Sequence, residues 1–149
     1  EEKHCRREIY KMPTKKKRAQ GRKNRAAGAR LELKVRKDLE DKGWIITKWM
    51  NTIDYEKNKI IPAKRKFNPF LKILGMGTGF PDFVCFKRNS PGSYDVIAVE
   101  VKANGYLDSI ERGMCQWMLE NKIFSKILIA KRGEKRGKIE YINFAEKYK

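Results

Sequence analysis

The chain has 149 residues, enough for one domain with a real core, and its 40% hydrophobic and 11% aromatic content argues against overall disorder. Charge is the outlier: 36 Lys plus Arg face 18 Asp plus Glu, a net +18 that points to a polyanionic partner, nucleic acid first. One histidine, His4, removes Ser-His-Asp and Cys-His mechanisms and argues against zinc, and no apolar run approaches the roughly 20 residues of a membrane span.

Residues 1–23 read as a basic arm centred on Lys15, Lys16, Lys17 and Arg18. Such dense like charge gives either a solvated tail or an arm that tracks phosphates, and the net charge elsewhere favours the second. Residues 24–149 read as the folded domain. Ala27, Leu31, Val35 and Leu39 recur every fourth residue, which predicts a helix over 24–42 stopped by Gly43. Glu32 lies at the edge of that stripe, and Arg25 and Arg30 on the same helix are candidate phosphate contacts. Residues 44–50 are β-branched and aromatic and predict a strand, with Trp44 and Trp49 as core. Residues 51–79 form a long insertion without an obvious element. Its basic cluster Lys64, Arg65, Lys66 with Phe67 and Phe70 suits nucleic-acid contact, a self-packing flap or a dimer contact. The glycines at its end are expected to let backbone approach the scissile region.

Two apolar runs, 80–88 and 94–102, flank the turn segment 89–93 with its Pro-Gly, a β-hairpin signal. Folding about that turn brings Asp82 to Glu100 and Lys102. The latter two are two residues apart and leave one face of a strand. Two carboxylates and an amine thus meet at one end of a hairpin, and carboxylate oxygens are hard ligands of the kind Mg²⁺ or Mn²⁺ prefers. Downstream, Asp108 or Ser109 caps a second helix, on which Ile110, Met114, Trp117 and Met118 are the expected buried stripe. Residues 124–130 predict a buried strand, 131–138 a basic turn containing Lys131 and Arg132, 139–142 a last strand and 144–149 a short helix. Cys85 and Cys115 fall inside apolar patterns as small buried hydrophobes, which suits a reducing cytosol.

Pro81-Asp82 opening one strand and Glu100-Val101-Lys102 closing the next resemble the PD-(D/E)XK nuclease superfamily. Within it the chain is most similar to archaeal and viral Holliday-junction-resolvase-like enzymes. Gly79-Phe80-Pro81-Asp82-Phe83 and Gln116-Trp117 also resemble the VRR-nuclease group. The resemblance spans residues 24–130 and implies an α/β fold with a restriction-endonuclease-like αβββαβ core, a mixed central sheet flanked by helices. It implies a Mg²⁺- or Mn²⁺-dependent DNA endonuclease, structure-specific in the manner of junction resolvases, with roles in recombination and repair and a homodimeric assembly. It implies that Asp82, Glu100 and the Val101 carbonyl hold the metal. Lys102 then positions the attacking water or donates to the phosphate, Glu32 completes the site, and Gln116 stands near the metal-bound water. The alternative is a non-catalytic basic nucleic-acid-binding protein on a nuclease-like fold; an RNA-directed enzyme and a structural subunit also remain open. The expected compartment is the cytoplasm, at the nucleoid or in the host cell of a virus; the run at 15–18 resembles a nuclear-import signal and leaves the nucleus open.

Overall fold

The computed structural model describes residues 12–64, 66–68, 73–75 and 79–149. It is α/β, with a mixed five-stranded sheet between helical layers. Helix α1 (Lys15–Asp41) is followed by β1 (Ile45–Lys48), and the chain then makes two small hairpins, β2 (Asn51–Asp54) with β3 (Lys59–Pro62) and β4 (Lys66–Asn68) with β5 (Ile73–Gly75). The long hairpin β6 (Phe83–Ser90) and β7 (Ser93–Val101) leads through α2 (Ser109–Glu120) to β8 (Lys126–Arg132), β9 (Ile139–Asn143) and α3 (Phe144–Lys147). Strand order in the sheet is β1-β6-β7-β8-β9. Only the β7–β8 pair is parallel, as a crossover through α2 requires.

The period of two along β6 and β7 sends alternate side chains to two cores. Phe83, Cys85, Ile97 and Val99 pack with Leu31, Val35 and Leu39 of α1. Val84 and Ala98, with Ile127 and Ile129 of β8, pack on the other face against Cys115 and Met118 of α2 and Phe144 of α3. Full burial of each large apolar side chain contributes about 1.5–3 kcal/mol. Cys85 and Cys115 are fully buried, as their apolar surroundings implied, and Trp44 and Trp49 pack against the two cores. No helix among the described residues is long and apolar enough to cross a membrane.

Three expectations are corrected. Helix α1 begins at Lys15, not at 24. Thr14 caps it, its hydroxyl accepting from the Lys17 N–H, and helix-forming Lys, Arg and Ala carry the helix through Gly21 and Gly28. The expected arm boundary at 23 therefore falls inside the helix, while residues 1–11 lie outside those described. The insertion is also not structureless. Ile53 is buried and Ile60 packs against the same core as α2, and the β2–β3 turn is tied down by Trp117 Nε1, which donates to Asn58 Oδ1 at 2.9 Å. Gly79 closes the base of the insertion. A Cβ there would lie 2.5 Å from the Asn51 backbone N and 2.6 Å from the Trp49 carbonyl oxygen, so the close approach its neighbourhood suggested is to the chain's own backbone. Finally, Ile110 is exposed, because the buried stripe of α2 runs through Cys115 and Met118 instead. Phe70, part of the aromatic cluster in the insertion, lies outside the described residues.

Candidate active site

Asp82 immediately precedes β6 and Glu100 is the penultimate residue of β7. The β6–β7 register pairs Phe83 with Val99 and Val84 with Ala98, so its continuation sets Asp82 opposite Glu100. Two reciprocal hydrogen bonds lock the pair. The Asp82 N–H donates to Glu100 Oε2 at 3.0 Å, and the Val101 N–H donates to Asp82 Oδ2 at 2.9 Å. Each carboxylate thus uses one oxygen on a backbone donor. The other oxygen faces an ammonium at long range: Asp82 Oδ1 lies 3.5 Å from Lys48 Nζ, and Glu100 Oε1 lies 3.8 Å from Lys102 Nζ.

Each lysine has a closer partner. Lys48 Nζ is 2.9 Å from Glu32 Oε2 of α1, and Lys102 Nζ donates to Glu111 Oε1 of α2. Glu111, the third residue of α2, also closes its capping box, its second oxygen accepting from the Asp108 N–H. The arrangement reads Glu32–Lys48–Asp82 on one side and Glu100–Lys102–Glu111 on the other. The structure therefore brings together four of the five expected catalytic residues: Asp82, Glu100, Lys102 and, through Lys48, Glu32.

The fifth, Gln116, is a correction. It is exposed, and its amide donates to Glu120 Oε1 at 2.7 Å. Cys115 and Met118 face the sheet, which turns Gln116 toward solvent. The residue of α2 that does reach the site is Glu111, which lies with Cys115 and Met118 at i, i+4 and i+7. Sequence reasoning missed Glu111 and Lys48, and each had a signal. Asp108-x-x-Glu111 is a capping-box pattern, and Lys48 follows Ile46 by two and so shares its α1-facing side.

Glu100 is only 6% exposed. Burial, and next the Asp82 charge, raise its pKa to about 9, more than the Lys102 charge can offset. Burial likewise raises Asp82, outweighing the Val101 N–H and the Lys48 charge. Lys102 is raised too, but for an amine that favours the charged form. Partial burial works against its charge, but the Glu111 hydrogen bond and the Glu100 and Glu111 charges outweigh burial and raise it above the ordinary lysine value. Lys48 is raised in the same manner by Glu32 and Asp82. Lys102 is therefore protonated at neutral pH and suited to donate, not to abstract a proton.

Among the described residues no group of three His, Cys, Asp or Glu side chains is gathered for a metal. The donor set is smaller: two adjacent carboxylates, with the Val101 carbonyl as the expected third ligand. Paired hard oxygens whose burial makes them costly to ionise fit a small divalent cation, which would lower both pKa values.

Basic residues cluster at the same end of the sheet. A cleft of about 340 Å³ between α1 and the β8–β9 turn is lined by Arg30, Lys34, Arg132, Lys135, Arg136 and Lys138, with Glu134 the one carboxylate. Arg132 is exposed there, whereas Lys131 is paired with Glu140 at 3.0 Å. Lys15, Lys16, Lys17, Arg18 and Arg25 are exposed on α1, and Lys64 is exposed after β3. Lys66 opens β4, and Arg65 lies outside the described residues.

No protein-family model, curated protein or solved structure matches the chain.

Proposed function

We propose that this chain is a metal-dependent endodeoxyribonuclease on a restriction-endonuclease-like αβββαβ core of the PD-(D/E)XK kind, hydrolysing phosphodiester bonds in duplex or branched DNA. The observation that carries the reading is the Asp82–Glu100 pair, fixed by reciprocal backbone hydrogen bonds and flanked by two lysines that each contact it loosely. A structural ion pair draws its charges into close contact; here the close contacts go to Glu32 and Glu111, and one oxygen of each central carboxylate has only a long ammonium contact, 3.5 Å for Asp82 and 3.8 Å for Glu100.

Mg²⁺ or Mn²⁺ held by Asp82, Glu100 and the Val101 carbonyl would lower the pKa of a bound water and neutralise charge on the phosphate. The chain's own groups do the rest. Lys102, kept cationic by Glu111, donates to a non-bridging phosphate oxygen or orients the attacking water. Lys48 adds positive charge on the opposite flank, and Glu32 holds Lys48 in place. Water forms the new P–O bond as the bridging P–O bond breaks; the attacking water releases a proton to solvent and the departing oxygen takes one up from solvent. Junction resolution needs two cuts, so a two-fold homodimer is part of the resolvase form of this proposal.

Purified protein incubated with linear duplex, flap and four-way-junction DNAs tests it. Scission is expected in Mg²⁺ or Mn²⁺ and not in EDTA, with branched substrates cut in preference to plain duplex. Binding without scission under every metal condition would replace the nuclease by a non-catalytic binder, and equal cutting of all DNAs would remove the structure-specific part.

A further inference from the structure

Helix α1 is longer than the body it packs on. Leu31, Val35 and Leu39 are its buried residues, and Glu32 is already level with Lys48, the last residue of β1. Residues 15–26 therefore run on past the sheet, at the end where Asp82 and Glu100 lie. At 1.5 Å per residue this overhang is about 18 Å long. It carries seven Lys or Arg and no Asp or Glu. Among the described residues, the side-chain hydrogen bonds of the overhang stay local: Arg18 Nε donates to the Pro13 carbonyl at 2.9 Å, and Gln20 Nε2 to Asn24 Oδ1 at 2.8 Å.

The cations are not scattered evenly. Lys16 and Lys23 lie seven residues apart in one row, which Arg30 and Lys34 continue into the basic cleft. Arg18, Arg22 and Arg25, at i, i+4 and i+7, form a second row. At 100° per residue the rows are separated by about 140°, with Lys15 and the methyl groups of Ala19 and Ala26 on the ridge between them. A narrow ridge with cations on both shoulders has the cross-section needed to enter a groove with phosphates on either side. The major groove of B-form DNA, about 12 Å wide, admits one helix, whereas that of A-form RNA is too narrow. The helix also lacks an acidic residue in its first turn, where three lysines stand against the positive end of the dipole, so a polyanion there relieves a standing repulsion.

We propose that the overhang of α1 docks in the major groove of B-form DNA, entering with the ridge that lies opposite the buried Leu31, Val35 and Leu39 face of the same helix. This rests on DNA being the substrate of the site, but it concerns grip and not chemistry. Beyond Lys15 at its start the ridge is alanine and offers no base-specific donor, so the grip is largely general and its strength electrostatic.

The test measures binding in EDTA, where cleavage plays no part. The probes are a DNA duplex, an RNA duplex of the same sequence, and the same DNA with glucosylated 5-hydroxymethylcytosine, whose sugar fills the major groove. Wild-type protein is expected to bind plain DNA at least about tenfold more tightly than either competitor, since both deny the helix its groove. The variant Lys16→Gln/Lys23→Gln/Arg22→Gln/Arg25→Gln is expected to lose about a hundredfold in affinity and to lower the slope of log K against log salt by about 3–4, at roughly 0.9 per phosphate contact. A control with the same loss of charge, Lys57→Gln/Lys59→Gln/Lys122→Gln/Lys126→Gln, should bind within a few-fold of wild type. Unchanged thermal unfolding of both variants verifies the fold. Equal binding of all three probes, or an equal loss in the control, overturns groove docking. Metal-dependent cleavage, scored separately, bears on the nuclease reading: grip without scission removes that reading and leaves this one, and scission with groove-independent binding does the reverse.

Discussion

Asp82→Ala and Glu100→Ala each reduce Mg²⁺-dependent DNA cleavage by at least about a thousandfold, and Lys102→Ala by about a hundred- to a thousandfold, while DNA binding in EDTA stays within a few-fold of wild type. In the proposed site the pair's oxygens would be the donors for the cation, and no neighbouring carboxylate is placed to replace either. Glu32 is occupied by Lys48 at 2.9 Å, and Glu111 by Lys102 and the α2 cap. Lys102 costs less because Lys48 remains on the other flank. Two further substitutions make the expectation specific to this geometry. Gln116→Ala leaves cleavage unchanged, since its amide is out in solvent on Glu120. Glu111→Gln lowers cleavage about tenfold, a fraction of the loss from a direct charge contact, because it loosens Lys102 without removing it. Single-turnover cleavage of one labelled substrate checks all five. Full activity in any two of the first three variants removes the assignment.

Glu100→Gln makes the metal-free protein more stable at pH 8, by about 1–2 kcal/mol or several degrees in Tm. Burial raises the Glu100 pKa in the folded state from its ordinary 4.5 to about 9. The folded state therefore holds this proton more tightly than the unfolded chain. The resulting stability is fully present below pH 4.5 and is lost as pH rises toward about 9. Asp82, raised by the same burial, contributes in the same direction. Gln keeps an oxygen for the Asp82 N–H and never ionises, so the falling limb between pH 5 and pH 9 flattens in the variant. Mg²⁺ raises the Tm of wild type at pH 8 and leaves Glu100→Gln nearly unmoved. Asp38 does not confuse the measurement. Burial there is outweighed by hydrogen bonds from Lys42 and Tyr141, its pKa is lowered, and its linkage falls below the ordinary 3.8. Thermal unfolding across that pH range decides the matter. A Glu100→Gln protein less stable than wild type at pH 8 would mean that the buried charge belongs to a structural ion pair. A site kept at a cost in stability is what a functional cation pocket would look like.

The hairpin that holds the pair was legible because its information is local. Pro91-Gly92 marks the turn, with Gly92 at φ +75°, and alternation along two adjacent strands fixes which residues face each other. The α1 stripe was equally readable, since Leu31, Val35 and Leu39 recur at helical spacing. What stayed hidden depends on how separate elements lie on the sheet. Lys48 meets Glu32 across 16 residues of sequence, and nothing local couples them. For α2 the stripe was begun at Ile110 instead of at Glu111, Cys115 and Met118. One residue of phase turns a helix by about 100°. That single step buried Ile110 wrongly and hid Glu111, while Gln116 came from the family resemblance and not from the stripe. The start of α1 was obscured by charge, because seven cations over residues 15–26 read as a repelling tail until the cap at Thr14 and the helix-forming side chains are given weight.

A crystal structure with Mn²⁺, located by its anomalous scattering, tests the cation pocket most directly. The expected result is a single strong peak within about 2.0–2.4 Å of Asp82 Oδ1 and Glu100 Oε1, with Lys48 and Lys102 drawn back toward Glu32 and Glu111. Asp82 and Glu100 left unchanged against their lysines at millimolar Mn²⁺, or a peak only at other carboxylates, would contradict it.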